Sequence, residues 1–132
     1  MTKERYLFLK HLCRGYDNYC RVLEDIYKPN STSLIKVKDE IRYFNNALAH
    51  KIDEASICRM IIGSMRYALA NCGIAYRRYL FDGVTKGVSY NKMSEDDSLP
   101  FSRKEYYAEY QRYFKILSDE LDKRMTGIAL FS

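Results

Sequence analysis

Residues Phe101–Gly127 read FSRKEYYAEYQRYFKILSDELDKRMTG, and this stretch decides the fold class. Its apolar positions Tyr106, Tyr110, Tyr113, Phe114, Leu117, Leu121 and Met125 recur at steps of three and four, which brings them to one side of an α-helix. Ser102 followed by Glu105 is a capping box: the serine hydroxyl takes one unpaired main-chain N–H, and the glutamate reaches back for another. Phe101 before the cap and Tyr106 after it form a hydrophobic staple. Gly127 is placed to end the helix in the left-handed conformation. Beyond it the apolar tail Ile128, Ala129, Leu130 and Phe131 either folds back on the body of the protein or docks on another subunit.

The same periodicity runs through the rest of the chain. A first helix is expected over about Lys3 to Lys28, with Leu9, Leu12, Cys13, Tyr16, Tyr19, Cys20, Leu23, Ile26 and Tyr27 as its stripe. Arg14, Asp17, Arg21 and Asp25 face away. Pro29, Asn30 and Ser31 to Ser33 make a turn that caps a second helix, whose stripe is Leu34, Val37, Ile41, Phe44 and Leu48. The pattern continues through Ile57, Ile61, Met65, Ala68, Cys72, Ala75 and Tyr79 towards Gly83. One helix from Leu34 to Lys86 would be about 80 Å long at about 1.5 Å per residue, too long for a chain of this size. A break is therefore expected near His50 to Ser56, with Asp53 as N-cap of the third helix. Gly87 to Phe101, carrying Glu95, Asp96 and Asp97, reads as a solvated connecting loop. No segment alternates as a strand does. The expectation is an all-α chain, one domain over residues 1–132, built as an antiparallel bundle of four main helices.

Composition narrows the class. Of 132 residues, 47% are hydrophobic and 30% charged, the balance of a globular chain. The longest uncharged run near the middle, Tyr67–Tyr76, contains Asn71 and Gly73 and is too short to cross a bilayer. The opening MTKERYLFLKHLCR scatters charge through its apolar positions, so no signal-peptide core is read and a cytoplasmic location is expected. Cys13 and Cys20, and likewise Cys58 and Cys72, share helix faces without any C-x-x-C spacing. They read as small buried hydrophobes, and neither a metal nor a cofactor is expected.

The formal net charge of +5 and pI near 9.0 favour an acidic partner, mildly. Between Ser56 and Lys86 the chain holds Arg59, Arg66, Arg77, Arg78 and Lys86 against a single acid, Asp82. On one continuous helix Arg59, Arg66 and Arg77 would fall within about 20° of each other, beside Gly63, Ala70 and Gly73. Arginines next to small residues let a phosphate backbone approach and be gripped by the guanidinium forks. Equally, the small residues could seat a neighbouring helix while the arginines pair with Asp25, Asp39, Glu40 or Glu120. Thirteen tyrosines and no tryptophan are a second bias. Tyr76 and Tyr79 flank Arg77 and Arg78, and Tyr106, Tyr107, Tyr110 and Tyr113 interleave with Arg103, Lys104, Arg112 and Lys115. Tyrosine beside arginine suits stacking on bases, but Tyr106, Tyr110 and Tyr113 already belong to the core stripe. Tyr107 alone falls outside it. The aromatic surplus suits a protein partner or a homo-oligomer as well.

Catalytic signatures are sparse: two histidines, His11 and His50, without a nucleophile elbow, phosphate loop or zincin motif. One segment, Glu40-Ile-Arg-Tyr-Phe-Asn-Asn-Ala-Leu-Ala-His50, resembles the motif helix of HEPN domains, all-helical nucleotide-binding and ribonuclease modules. In that family an arginine precedes a histidine by four to six positions, often as R-N-x-L-A-H. Here Asn46, Ala47, Leu48, Ala49 and His50 match, while Asn45 stands in the arginine's place and Arg42 lies earlier on the face shared with Asn46 and His50. Arg5 and His11 satisfy the bare spacing with Tyr6 after the arginine. The resemblance implies a ribonuclease, active or degenerate, centred on Arg42, Asn46 and His50. In size, charge and helix order the chain is also similar in outline to the basic four-helix accessory proteins of retroelement reverse transcriptases. The preferred expectation is a non-enzymatic accessory or adaptor protein that binds nucleic acid, a protein partner, or both. Its binding residues would be Arg59, Arg66, Arg77, Arg78, Lys86 and Tyr107.

Overall fold

A computed structural model describes residues 1–25, 32–48 and 52–131, and within them every regular element is an α-helix. In chain order these are α1 (Lys3–Arg14), α2 (Tyr16–Glu24), α3 (Thr32–Lys36), α4 (Lys38–Leu48), α5 (Glu54–Ala70), α6 (Ile74–Lys86), α7 (Tyr90–Asp96) and α8 (Arg103–Phe131). No helix among the described residues is long and apolar enough to cross a membrane. α5 is the central element, packing most extensively on α8 and α2. Its buried Ile57, Ile61, Met65 and Ala68 meet Leu117 and Leu121 in one core that also takes Leu9, Leu12, Phe44 and Leu80.

The expected first helix is interrupted at Gly15. Tyr19 is fully buried, so its hydroxyl must find an acceptor inside the protein. It donates to the Leu12 carbonyl at 2.9 Å, which also accepts the Gly15 N–H at 3.1 Å. The phenol end lies where a Cβ on residue 15 would sit, so a glycine is required at this close approach. Arg14 does not simply face away: its guanidinium lies against Gly87. Ile26 and Tyr27, and the turn Pro29–Ser31, lie outside the described residues. The second helix divides into α3 and α4 at the buried Val37.

The break between the second and third helices falls where expected. Asp53 caps α5: its Oδ1 accepts the Ser56 N–H at 2.9 Å and its Oδ2 accepts the Ser56 hydroxyl at 2.7 Å. Those bonds from Ser56 hold its carboxyl below the usual carboxylate range. The third helix does not run on to Lys86. It stops at Ala70 and restarts at Ile74, and the carbonyls freed there are met by side chains. Asn71 Nδ2 donates to Tyr67 O at 2.9 Å, while Arg77 donates from Nε to Cys72 O at 3.0 Å and from Nη2 to Ala70 O at 2.8 Å.

The expected loop before Pro100 contains a helix, α7, capped by Ser89 Oγ accepting the Lys92 N–H at 3.2 Å and anchored by the buried Met93. A helix this short, with one core residue, shows no period. In α8 the capping box forms, with Ser102 Oγ accepting the Glu105 N–H at 3.1 Å and Glu105 Oε1 accepting the Ser102 N–H at 3.0 Å. Phe101 stacks on Tyr106 with ring centres 5.9 Å apart. Gly127 does not end the helix, which continues to Phe131; among the described residues the left-handed glycine is Gly87, with φ 71°. Continuation keeps the stripe in step, because Ile128 follows Leu121 and Met125 onto the core.

Cys13, Cys58 and Cys72 are buried and Cys20 is partly buried, all as free thiols. Burial pushes Cys13 and Cys58 up to about 12 and Cys72 up to about 11. At pH 8 the thiolate of each is then roughly one part in a thousand or less. Titration of the native protein with a chromogenic disulfide should therefore label Cys20 alone, with three further thiols released on unfolding; fast native labelling of Cys13 would contradict the packing. Gly15→Ala should lower stability in urea unfolding by about 1–3 kcal/mol through overpacking against Tyr19.

Candidate functional site

α5 carries Arg59 and Arg66 two turns apart, and both are exposed. Arg66 Nη2 donates to the Tyr16 hydroxyl at 3.2 Å, which ties it to α2. Between the two arginines lies Gly63. Arg124 of α8 occupies the space its missing side chain leaves, and Arg124 Nε donates to Glu120 Oε1 at 2.9 Å. Gly63 thus seats a neighbouring helix, and the residue seated there is itself a cation. Arg59 and Arg124 line one open groove of about 450 Å³ with Met60 and Ile128. Arg124 was not among the sequence candidates; the one local signal was the Glu120–Arg124 pair one turn apart, and its place against Gly63 is a tertiary contact.

Arg77 does not join this face. It lies on α6, beyond the Asn71–Gly73 break, so the angular alignment of an unbroken helix does not apply. Its guanidinium is engaged with the Ala70 carbonyl at the end of α5, where a cation also complements the helix dipole, and with the Cys72 carbonyl in the turn that follows. Arg78 sits 3.9 Å from Asp97 and 5.6 Å from the Tyr79 ring centre, and Lys86 sits 3.6 Å from Asp82. Exposed pairs of this kind are weak and leave both cations open to exchange of partner. Asp39, Glu40 and Glu120 pair with Arg42, His11 and Arg124 rather than with Arg59, Arg66 or Arg77.

Tyr107 is not a free stacking platform. Its ring meets Tyr106 and Tyr110 edge-on at 5.0 and 5.6 Å, Arg103 lies 5.2 Å above it, and its hydroxyl accepts the Tyr90 N–H at 3.3 Å. It forms a wall of a polar cleft with Lys10 and Arg14 instead.

In the segment Glu40–His50, Asn45 holds the backbone together locally. Its Oδ1 accepts the Ile52 N–H at 2.6 Å and ties the end of α4 to the approach of α5. Arg42 lies 3.9 Å from Asp39, Asn46 is exposed, and His50 falls outside the described residues. Arg5 is held on α8 by Ser118 at 3.1 Å and Asp122 at 2.8 Å. His11 instead meets Glu40 at 2.9 Å, and the other Glu40 oxygen is buried with no hydrogen-bond partner among the described residues. Compared with known proteins, the chain matches no protein-family model, no curated protein and no solved structure.

Proposed function

We propose that the chain is a small, basic, non-enzymatic accessory protein that binds nucleic acid through the face shared by α5 and α8. The observation that supports this is the placement of Arg59, Arg66 and Arg124 on neighbouring positions of that face, two from one helix and the third laid across Gly63. Guanidinium groups are weakly hydrated and fork-shaped, so they suit successive phosphate oxygens. Arg78 and Lys86 add to the long-range field of a chain carrying a net charge of +5. Arg77 and Tyr107 are left out of this binding set, since Arg77 lies on α6 with its guanidinium on main-chain carbonyls and Tyr107 lines a different cleft. In this proposal the kinked pairs α1–α2, α3–α4 and α5–α6 join α8 as the four main helices of an antiparallel bundle. The protein is cytoplasmic and forms a homo-oligomer.

Binding of a single-stranded oligonucleotide should weaken steeply with salt, by about 0.7 in log–log slope for each phosphate contact. Replacing Arg59, Arg66 and Arg124 together by alanine should flatten that slope by about 2. Arg77→Ala should instead cost about 1 kcal/mol of stability and leave the slope unchanged. Binding that is absent or insensitive to salt would transfer the face to a protein partner. Metal-independent RNA cleavage lost in His50→Ala would replace this reading with the HEPN-like ribonuclease of Arg42, Asn46 and His50.

A further inference from the structure

The polar cleft that includes Tyr107 lies between α1, the turn joining α6 to α7, and α8. It is more enclosed than the α5–α8 groove at Arg59 and Arg124 and than the groove between Leu48 and Met125, and, unlike those two, is lined mainly by polar atoms. Lys10 and Arg14 enter it from α1, one turn apart. Like charges at that spacing repel, and among the described residues neither has a carboxylate within 4.0 Å to offset the repulsion. Lys10 lies over the Tyr6 ring at 5.5 Å. Arg14 is laid against the main chain at Gly87, whose left-handed φ of 71° and lack of a Cβ make the room.

The hydroxyls complete a donor set. Tyr107 Oη accepts the Tyr90 N–H, and Tyr6 Oη accepts from Gln111 Nε2 at 3.4 Å. A phenol has one proton and two acceptor positions, so a hydroxyl that accepts in this way keeps its own proton to donate. The cleft therefore presents two cations and two hydroxyl protons with no opposing carboxylate on its walls. Tyr6, Lys10 and Arg14 line the cleft from α1 and Tyr107 from α8, so donors on two walls suit an oxyanion that carries oxygens on more than one side, as a phosphoryl group does. The volume, about 240 Å³, is below the roughly 300–1,000 Å³ of pockets that enclose drug-sized ligands. It admits a phosphoryl group with the sugar that carries it.

We propose that this cleft binds a phosphoryl group, with Lys10 and Arg14 as the charged contacts and Tyr6 and Tyr107 as the hydroxyl donors. The site is separate from the α5–α8 face and does not rest on it. The bound phosphoryl group is either free, on a mononucleotide, or at the end of a nucleic-acid strand, and three probes distinguish these sources. Isothermal titration calorimetry on the full chain would use inorganic phosphate, a ribonucleoside monophosphate, and a matched pair of oligonucleotides with and without a terminal phosphate. At least one phosphorylated probe should bind, and the phosphorylated oligonucleotide should exceed its hydroxyl-ended twin if the strand end is the source. Lys10→Gln and Arg14→Gln should each weaken that binding roughly tenfold or more. Both side chains reach the surface, so the thermal melt should stay unchanged and the loss would report the site. The salt-dependent binding that needs Arg59, Arg66 and Arg124 should persist in both variants. No heat with any phosphorylated probe, or binding undiminished in both variants, overturns the proposal.

Discussion

A tyrosine hydroxyl cannot be buried without a partner, and this protein buries several. Burial raises the pKa of Tyr19, Tyr106 and Tyr113 far enough that their phenols stay protonated, which makes each a donor in need of an acceptor. Tyr19 uses the Leu12 carbonyl at the α1–α2 break, Tyr106 the Tyr79 carbonyl at 3.4 Å, and Tyr113 lies 3.5 Å from Cys13 Sγ. In two cases a glycine stands opposite the phenol: Gly15 for Tyr19 and Gly83 for Tyr106. A side chain at either position would collide with the hydroxyl. The tyrosine content and the glycine positions are thus linked aspects of one packing scheme, in which polar-tipped rings fill the core and, at Tyr19 and Tyr106, a backbone carbonyl receives the proton.

The same need for hydrogen-bond partners explains where the cations go. A helix end leaves carbonyls without partners, and a guanidinium that can reach them is drawn back onto the chain. Arg77 is held in this way. Arg124 is drawn across Gly63 because that glycine opens a path between α5 and α8, and Arg14 is drawn onto Gly87 for a similar reason. Glycine opposite arginine recurs at two surfaces, and each has a second cation beside it: Arg59 near Arg124, Lys10 near Arg14. The second surface is more enclosed than the first. This difference separates a face suited to an extended polyanion from a cleft suited to one phosphoryl group.

The acidic residues are disposed in keeping with that division. Glu120, Asp39 and Asp97 lie within 4 Å of exposed or half-exposed cations, and the largely buried Glu40 meets the exposed His11. No described carboxylate enters the enclosed cleft, so its positive charge is not cancelled locally. The segment Glu40–His50 is arranged differently. There Asn45 ties the end of α4 to the approach of α5 through the Ile52 N–H.

Interactions that span a few residues were legible without any structure. The α8 stripe and its capping box, the Asp53 cap and the helical periodicity all depend on neighbours three or four positions away. The all-α class follows from them, as does the break before α5. Tertiary structure alone decided the break at Gly15, the second break after Ala70, the extension of α8 past Gly127 and the small helix α7. Each balances a local preference against burial or a hydroxyl's need for an acceptor. The candidate surfaces divide in the same way. Arg59 and Arg66 were legible because one helix carries both, whereas Arg77 was assigned to the wrong face because its helix is not continuous with theirs. Arg124 against Gly63 and Arg14 against Gly87 bring together residues far apart in the chain, and periodicity along a single helix holds no information about which helix will face it.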